Sequence, residues 1–305
     1  MTLSAAGTKG TLVVIGGPTA SGKTKAAATI AKQLGTEVIS ADSRQFYRAM
    51  RIGTARPSGE ELLGVKHHFI GHLELEETWS AGAFARAAEP VLQEILGRNE
   101  IAVLVGGSGL YIDALIKGLD PLPVTDVRLR EKITTRLKEN GLSDLVEELR
   151  KLDPISWERI DRNNPHRVIR ALEICLLTGR PASEQHSTPS DRKDLRIVRI
   201  AMELPREELY ERIHERVDGM MRAGLLDEAR SLLTFRDRNA LRTVGYRELL
   251  AHFDGEIDLP TAIALIKQHT RNYAKRQLTW LRRDRNWHRV HPDDVDRMIE
   301  LIRPR

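Results

Sequence analysis

Apolar and polar positions follow two periods along this chain. Thr11-Leu-Val-Val-Ile15 is a short apolar run rich in β-branched residues, the pattern of a strand buried on both faces. Lys25 to Leu34 is Ala-rich and reads as a helix that Gly35 stops. Glu37-Val-Ile-Ser40 predicts a second strand, Ala81 to Leu96 a helix, and Ile101-Ala-Val-Leu-Val105 a third strand. This alternation over residues 11–116 predicts a parallel sheet covered by helices.

The pattern then changes. Asp120-Pro-Leu-Pro123 reads as a linker, and from Asp126 to about Gly179 every periodic segment reads as helix. In the last of these Asn163 and Asn164 can cap, Pro165 suits the first turn and Gly179 ends it. Val168, Ile169, Leu172, Cys175 and Leu176 form its apolar stripe, with His166, Arg167, Arg170 and Glu173 mostly opposite. Cys175 is thus expected in the core. A polar stretch, Ser183 to Asp194, leads to Leu195-Arg-Ile-Val-Arg-Ile-Ala201, which alternates like a strand. Helices are predicted over Glu207–Met221, Leu225–Leu233 and Thr261 to about Arg283. The architecture expected is an α/β core, 1–117 plus 193–305, interrupted by a helical insertion at 118–192.

The turn after the first strand carries the strongest chemical signal. Gly17, Pro18, Thr19, Ala20, Ser21, Gly22, Lys23 and Thr24 satisfy G-x-x-x-x-G-K-[ST], the phosphate-binding loop pattern. A strand, a glycine turn and a helix N-terminus aim backbone N–H groups at one point, where the helix dipole also favours an anion. Lys23 adds a positive charge, and the Thr24 hydroxyl can hold Mg²⁺ on a phosphate. The fold class expected is therefore α/β: a P-loop NTPase-like parallel sheet flanked by helices, with an inserted all-helical subdomain. The motif leaves open which phosphate compound binds.

Composition narrows the picture. The 305 residues suffice for one large domain with an insertion, or for two domains. No apolar run reaches the length of a membrane span, and Met1 to Gly10 reads as a loose tail without the apolar core of a signal peptide. The single cysteine excludes an internal disulfide and a cysteine-based zinc site, so a cytoplasmic protein is expected. A net charge of +5 suggests an anionic partner only weakly. Its distribution says more: between Lys267 and Arg289 eight Lys/Arg stand against one acid, Asp284, which favours phosphate-backbone contact over a merely solvated face.

Several residues qualify for chemistry near the loop. Asp42 stands just beyond the second strand, where open α/β sheets bind ligands. It can hold Mg²⁺ through water, accept a proton from a nucleophile, or simply cap the next turn. The third strand ends in Gly106-Gly-Ser-Gly109 where most phosphate-loop NTPases have a metal-holding Asp, which lowers the odds of a motor, a GTPase or an ordinary ATPase. Arg212 and Arg216, four apart, can form a forked phosphate clamp or a solvent-facing pair bonded to Glu208 or Glu215; spacing alone favours the second. Arg242-Thr-Val-Gly-Tyr-Arg247 and the basic helix face of Arg271, Lys275 and Arg282 suit a nucleic-acid backbone, with Trp280 either a stacking ring or core. His67 and His68 lack metal-ligand companions and read as loop or packing residues.

In order along the chain, these motifs resemble the bacterial tRNA dimethylallyltransferases of the MiaA type. The resemblance rests on Gly17–Thr24, Ser40-Ala-Asp-Ser43, Ile52-Gly-Thr-Ala-Arg-Pro57, Val105-Gly-Gly-Ser-Gly-Leu-Tyr111, Pro165–Arg170, Val244–Arg247 and Lys275–Arg282, and it spans about residues 11–290. It implies transfer of the dimethylallyl group of dimethylallyl diphosphate to N6 of the adenosine just 3′ of the anticodon, in tRNAs that read codons beginning with U. Diphosphate leaves, and Mg²⁺ assists. The resemblance makes Asp42 the base, Thr19 a contact to donor or reacting base, and Arg216 the arginine on the diphosphate. It places tRNA contacts at Asp42, Ser43, Arg44 and Gln45; at Ser108 and Arg130; at His166, Arg167, Val168, Ile169 and Arg170; at Arg242, Thr243, Val244, Gly245, Tyr246 and Arg247; and at Lys275, Arg276, Gln277, Leu278, Thr279, Trp280, Leu281 and Arg282. The insertion then reads as a clamp on the anticodon stem-loop, and a monomer is expected.

The chain departs from the pattern at Ser108, where Thr is commoner, and at His166, where Gln is usual. It lacks the zinc finger of eukaryotic relatives. Two other enzymes share the loop. An adenylate isopentenyltransferase prenylates free AMP and needs neither the insertion nor the basic C-terminal helix. A metabolite kinase would use the loop for ATP, with Arg212 and Arg216 as lid arginines; the motif also fits ATP phosphates as a loose occupant. An RNA-binding protein without catalysis does not explain the loop together with Asp42.

Overall fold

The computed structural model describes residues 9–118, 120, 122–185 and 190–303. The segments read as an N-terminal tail, as the Asp120–Pro123 linker and as the Ser183–Asp194 stretch lie wholly or partly outside these residues. In chain order the elements are β1 (Thr11–Gly16), α1 (Lys23–Gln33), β2 (Val38–Ser40), β3 (His67–His68), α2 (Ala81–Arg98), β4 (Ile101–Gly106) and α3 (Gly109–Ile116). Then follow α4 (Val127–Leu152), α5 (Pro154–Arg159), α6 (Pro165–Thr178), β5 (Arg196–Met202), α7 (Arg206–Arg222), α8 (Leu225–Ser231), α9 (Tyr246–Phe253), α10 (Leu259–Leu281), β6 (His288–Val290) and α11 (Val295–Ile302). The chain divides into two compact units, one of Met1–Ile116 with Arg192–Arg305 and one of Lys117–Asp191.

The first unit is built on a parallel six-stranded sheet in the order β3-β2-β4-β1-β5-β6. The continuous apolar runs of β1 and β4 follow from burial on both faces. Leu12, Val14, Ala102 and Leu104 point to one side, into a core shared with Phe84, Leu92, Ile112, Leu249 and Ile266. Val13, Ile15, Val103 and Val105 point to the other, against Ala27, Ile30 and Ala31 of α1 and Met298 and Ile302 of α11. Ala26, Ala27 and Ala31 let α1 lie flat on the sheet where larger side chains would hold it off. β3, β6 and α9 were not legible as elements. His67 and His68, read as loop or packing, form a two-residue edge strand on β2, where His68 Nε2 meets Glu37 Oε2 at 2.6 Å.

The second unit is all helical around Ile133, Leu145, Leu149, Val168, Leu172 and Cys175. Within α4 the helical geometry breaks at Gly141, whose φ of 81° falls in the left-handed region. α6 begins and ends as its capping residues dictate: Asn164 Oδ1 accepts the N–H of His166 and Arg167 at 3.1 and 3.4 Å, and Gly179 adopts φ 67°. One side-chain placement corrects the sequence reading. Glu173, assigned to the polar face, is fully buried, and its Oε2 accepts from Arg130 at 2.6 Å and Arg170 at 2.9 Å. A buried carboxylate persists only with such partners, so these two arginines offset the cost of burying Glu173.

The glycine that ends β4 has a structural cause. A Cβ on Gly106 would collide with the Ala41 carbonyl just beyond β2. Gly106→Ala is expected to lower the unfolding free energy by about 1–3 kcal/mol, because the obstacle is backbone and cannot swing aside. Urea denaturation checks this; an unchanged midpoint would show that the two strand ends can separate without cost.

Candidate active site

Three backbone turns converge at the carboxyl ends of β1, β4 and β2, with β4 lying between the other two. The turn after β1 folds as a phosphate-binding loop requires. Ala20 takes φ 64° and Gly22, the N-cap of α1, takes φ 80°, so the chain enters the helix with its first N–H groups exposed to the turn. Lys23 starts α1 and bends back to donate to the Pro18 carbonyl at 3.3 Å. Burial pushes its ammonium down from 10.5 to about 8, while Asp42 pulls it up and Arg216 pushes it further down. Burial likewise lowers the Arg216 guanidinium, against the pull of Glu61 and Asp42.

The glycine run after β4 is packed shut by one helix. At Gly107 a Cβ would strike the Gln277 amide, and at Gly109 the Trp280 ring, both on α10. Gln277 fills its position with two bonds: Nε2 donates to the Gly107 carbonyl at 2.9 Å, and Oε1 accepts the Thr19 N–H at 2.8 Å. Ser108 follows, and its Oγ lies 3.1 Å from both the N–H and the Oγ of Ser43. A small residue is therefore needed at these glycines for α10 to approach, which accounts for their standing where other phosphate-loop proteins carry an acid.

Beside these turns lies a cavity of about 320 Å³. Thr19, Asp42 and Arg216 line it together, although they stand on three separate segments. Arg44, Arg242, Arg247 and Arg276 line it too, so five arginines face one carboxylate, Asp42. Val217, Met220, Val244 and Ile266 supply an apolar part of the wall. Such a lining suits a ligand with anionic and apolar portions, with Asp42 placed to take a proton. Asp42 also caps its turn, accepting the Arg44 N–H at 3.2 Å, so the capping reading does not keep it out of the cavity.

The other predicted contacts separate into groups. Arg44 donates to the carbonyls of Asn239 and Ala240, and Gln45 Nε2 to those of Thr54 and Ala55. Thr243 and Gly245 line the cavity, whereas Lys275 and Thr279 on α10 and Arg282 just past its end lie exposed. His166 and Arg167 are exposed at the start of α6 in the helical unit. Among these residues the side chains of Val168, Ile169, Tyr246 and Leu281 are buried, and Gln277 is buried yet lines the cavity. Leu278 joins an apolar cluster with Leu209 and Ile213, and Trp280 donates to Asp113 at 3.0 Å beside Trp287. Of the two clamp arginines only Arg216 lines the cavity, because Arg212 pairs with Glu208 at 2.8 Å. Arg271 meets His214 at 2.5 Å, against α7.

Tyr273 is a cavity residue that sequence reasoning passed over. Burial and then the charge of Asp42 push its phenol up to about 12, with a Ser108 hydrogen bond pulling the other way, so it stays a neutral donor. One turn before Gln277, it offered a signal as a second polar group on the same stripe of α10.

Residues 45–284 match the family described as IPP transferase. The chain is 46% identical over 273 residues to a tRNA dimethylallyltransferase of Christiangramia forsetii, covering 90% of each chain. Among solved structures it resembles the full-length tRNA isopentenylpyrophosphate transferase from Bacillus halodurans, at 39% identity and TM-score 0.70, covering 96% of this chain and 94% of that one. It also resembles a eukaryotic dimethylallyltransferase acting on tRNA, at 25% identity and TM-score 0.79, covering 94% and 75% of the two chains.

The position of Lys23 fixes a pH response. With the folded value at about 8, below its ordinary 10.5, the unfolded chain holds this proton more tightly between the two, so the residue's contribution to stability rises with pH across that window. Anion binding has the opposite sign. The affinity for inorganic diphosphate is expected to fall above pH 8 by up to about tenfold per unit, relative to Lys23→Arg, whose charge does not titrate. Calorimetric titration at pH 7, 8 and 9 measures it; parallel profiles for the two proteins would refute the assignment.

Proposed function

The chain belongs to the IPP transferase family, and from that premise we propose that it moves the dimethylallyl group of dimethylallyl diphosphate to N6 of the adenosine just 3′ of the anticodon. The acceptors are tRNAs that read codons beginning with U. The observation that carries this reading is the single cavity lined by Thr19, Asp42 and Arg216 next to the phosphate-binding loop.

The chemistry follows from the residues. An allylic carbon separates readily from a leaving diphosphate whose charge is stabilised. The N–H groups at the start of α1, the Lys23 ammonium and the Arg216 guanidinium are preorganised for that charge. As N6 bonds to the allylic carbon and the C–O bond to diphosphate breaks, N6 becomes cationic. The Asp42 carboxylate accepts the N6 proton, leaving a neutral secondary amine. The target base leaves its stack to enter the cavity, which the cationic wall and the neutral Tyr273 phenol would receive.

Mg²⁺ fits this site as a companion of the diphosphate. Among the described residues no group of three or more His, Cys, Asp or Glu is placed to hold a metal, while Thr24 offers a hard oxygen in the first turn of α1. That donor set suits an ion that keeps water and phosphate oxygens as ligands. Thr24 would hold it, and its charge would stabilise the leaving group.

The exposed Lys275 and Thr279 of α10, Arg282 just past its end and the exposed His166 and Arg167 of α6 are assigned to the RNA, in a protein that acts as a monomer. No helix among the described residues is long and apolar enough to cross a membrane.

The test is nucleoside mass spectrometry after incubation with dimethylallyl diphosphate, Mg²⁺ and an unmodified tRNA transcript. A dimethylallyl increment on the one adenosine supports the proposal; prenylated AMP in a parallel tube, with unmodified tRNA, would replace it. Asp42→Asn is expected to lower kcat by at least about 100-fold while tRNA affinity stays within about twofold. Wild-type turnover in that variant would remove Asp42 from the role of base.

A further inference from the structure

Glu228, on α8, has no part in the chemistry above, yet its carboxylate is the meeting point of two cavity walls. Oε1 accepts the N–H of Ile52 at 3.0 Å, the N–H of Gly53 at 2.9 Å and the O–H of Tyr246 at 2.6 Å. Oε2 accepts the N–H of Arg51 at 3.0 Å and of Ile52 at 2.7 Å. Three consecutive backbone donors turned to one point form an anion-binding nest, here filled by the protein's own side chain.

Two segments of the cavity wall depend on this contact. The first is Gly53, Thr54 and Ala55, and the second is Thr243, Val244 and Gly245, next to Tyr246. The Tyr246 ring is buried, and a Cβ on Gly53 would come within 2.6 Å of it, so the first segment rests directly on the ring that Glu228 holds. The first segment is also tied to the turn of the proposed base. Gln45 grips the Thr54 and Ala55 carbonyls through Nε2 at 3.2 and 3.1 Å, and its own N–H donates to the Asp42 carbonyl at 3.0 Å.

We propose that Glu228 is a positioning residue that fixes the acceptor side of the cavity, and thereby the fit of the RNA base, without touching substrate. This rests on the transferase reading. The phosphate-binding loop shares none of these bonds, so the donor side stands apart from them. Only an ionised carboxylate serves the whole set. A glutamine keeps one acceptor oxygen and turns an NH₂ toward backbone N–H groups, leaving some of the four donors unmatched.

The experiment is steady-state kinetics of Glu228→Gln with an anticodon stem-loop RNA and dimethylallyl diphosphate, each varied in turn. The KM for RNA is expected to rise about tenfold, with the KM for the donor unchanged. Tyr246→Phe keeps the ring under Gly53 and removes one donor, so a smaller rise in the same KM is expected. The double variant should be no worse than Glu228→Gln alone, because both act through one contact. An unchanged RNA KM in Glu228→Gln overturns the proposal, as does an equal rise in both KM values with a lowered unfolding midpoint, which would mean general damage. Should Glu228→Gln not fold, Tyr246→Phe decides: a selective rise in the RNA KM supports the proposal and wild-type constants overturn it. Absence of transfer by the wild-type protein overturns the transferase reading and this proposal with it; wild-type transfer with an indifferent Glu228→Gln overturns this proposal alone.

Discussion

One amide side chain sets how closely the parts of the site can meet. Gln277 joins the Thr19 N–H to the Gly107 carbonyl, spanning the turns after β1 and β4. An apolar residue at 277 would take a partner from both, and the Gly107 carbonyl would lose its bond in a buried place. The glycines after β4 follow from the same contact. They admit Gln277 and Trp280 on one side and the Ala41 backbone on the other, and any side chain there would push apart the strand ends that carry Thr19 and Asp42.

That closeness sets the electrostatics. Lys23 and Arg216 are held in low-dielectric surroundings with Asp42 as a shared counter-charge, and the Arg216 charge lowers the proton affinity of Lys23 further. Two buried cations of this kind stand short of their negative charge until an anion arrives. The loop is thus preorganised for a polyanion, and the desolvation already present in the folded chain need not be incurred again on binding. The neutral Tyr273 phenol extends this logic to the acceptor side, because burial and the Asp42 charge keep it a donor.

How much of this was legible depended on the range of the interaction. β1, β4, β5 and the long helices were legible because their apolar periods are local and strong. β3 and β6 were not, since strands of two and three residues carry too few positions for a period. The phosphate-binding loop and Asp42 were legible as a motif and as a strand-end residue. Glu228 was not, since its partners at 51–53 lie about 175 residues away in sequence and nothing local marks it. Glu173 shows the opposite failure. Its period was read correctly, but its polarity was taken as exposure when it marked a buried pair with Arg130 and Arg170. The bracing role of Gln277 was not legible either, since its partners Thr19 and Gly107 lie more than 150 residues away in sequence.

The basic composition can now be apportioned. Arg130, Arg136, Arg170 and Arg192 are each bound to one or more carboxylates of their own unit, so they add little to any external field. Arg44 is different, because it donates to the neutral carbonyls of Asn239 and Ala240 and keeps its charge. With Arg216, Arg242 and Arg276 it surrounds the cavity, whose lining holds one carboxylate, Asp42. The cavity is therefore far more positive than a net charge of +5 spread over 305 residues would make it. A concave wall concentrates that field, so a polyanion is drawn to the mouth of the cavity before any specific bond forms. Specificity must then come from the shape of the wall, which is why the fastening of its two segments by one carboxylate matters more than one further arginine would.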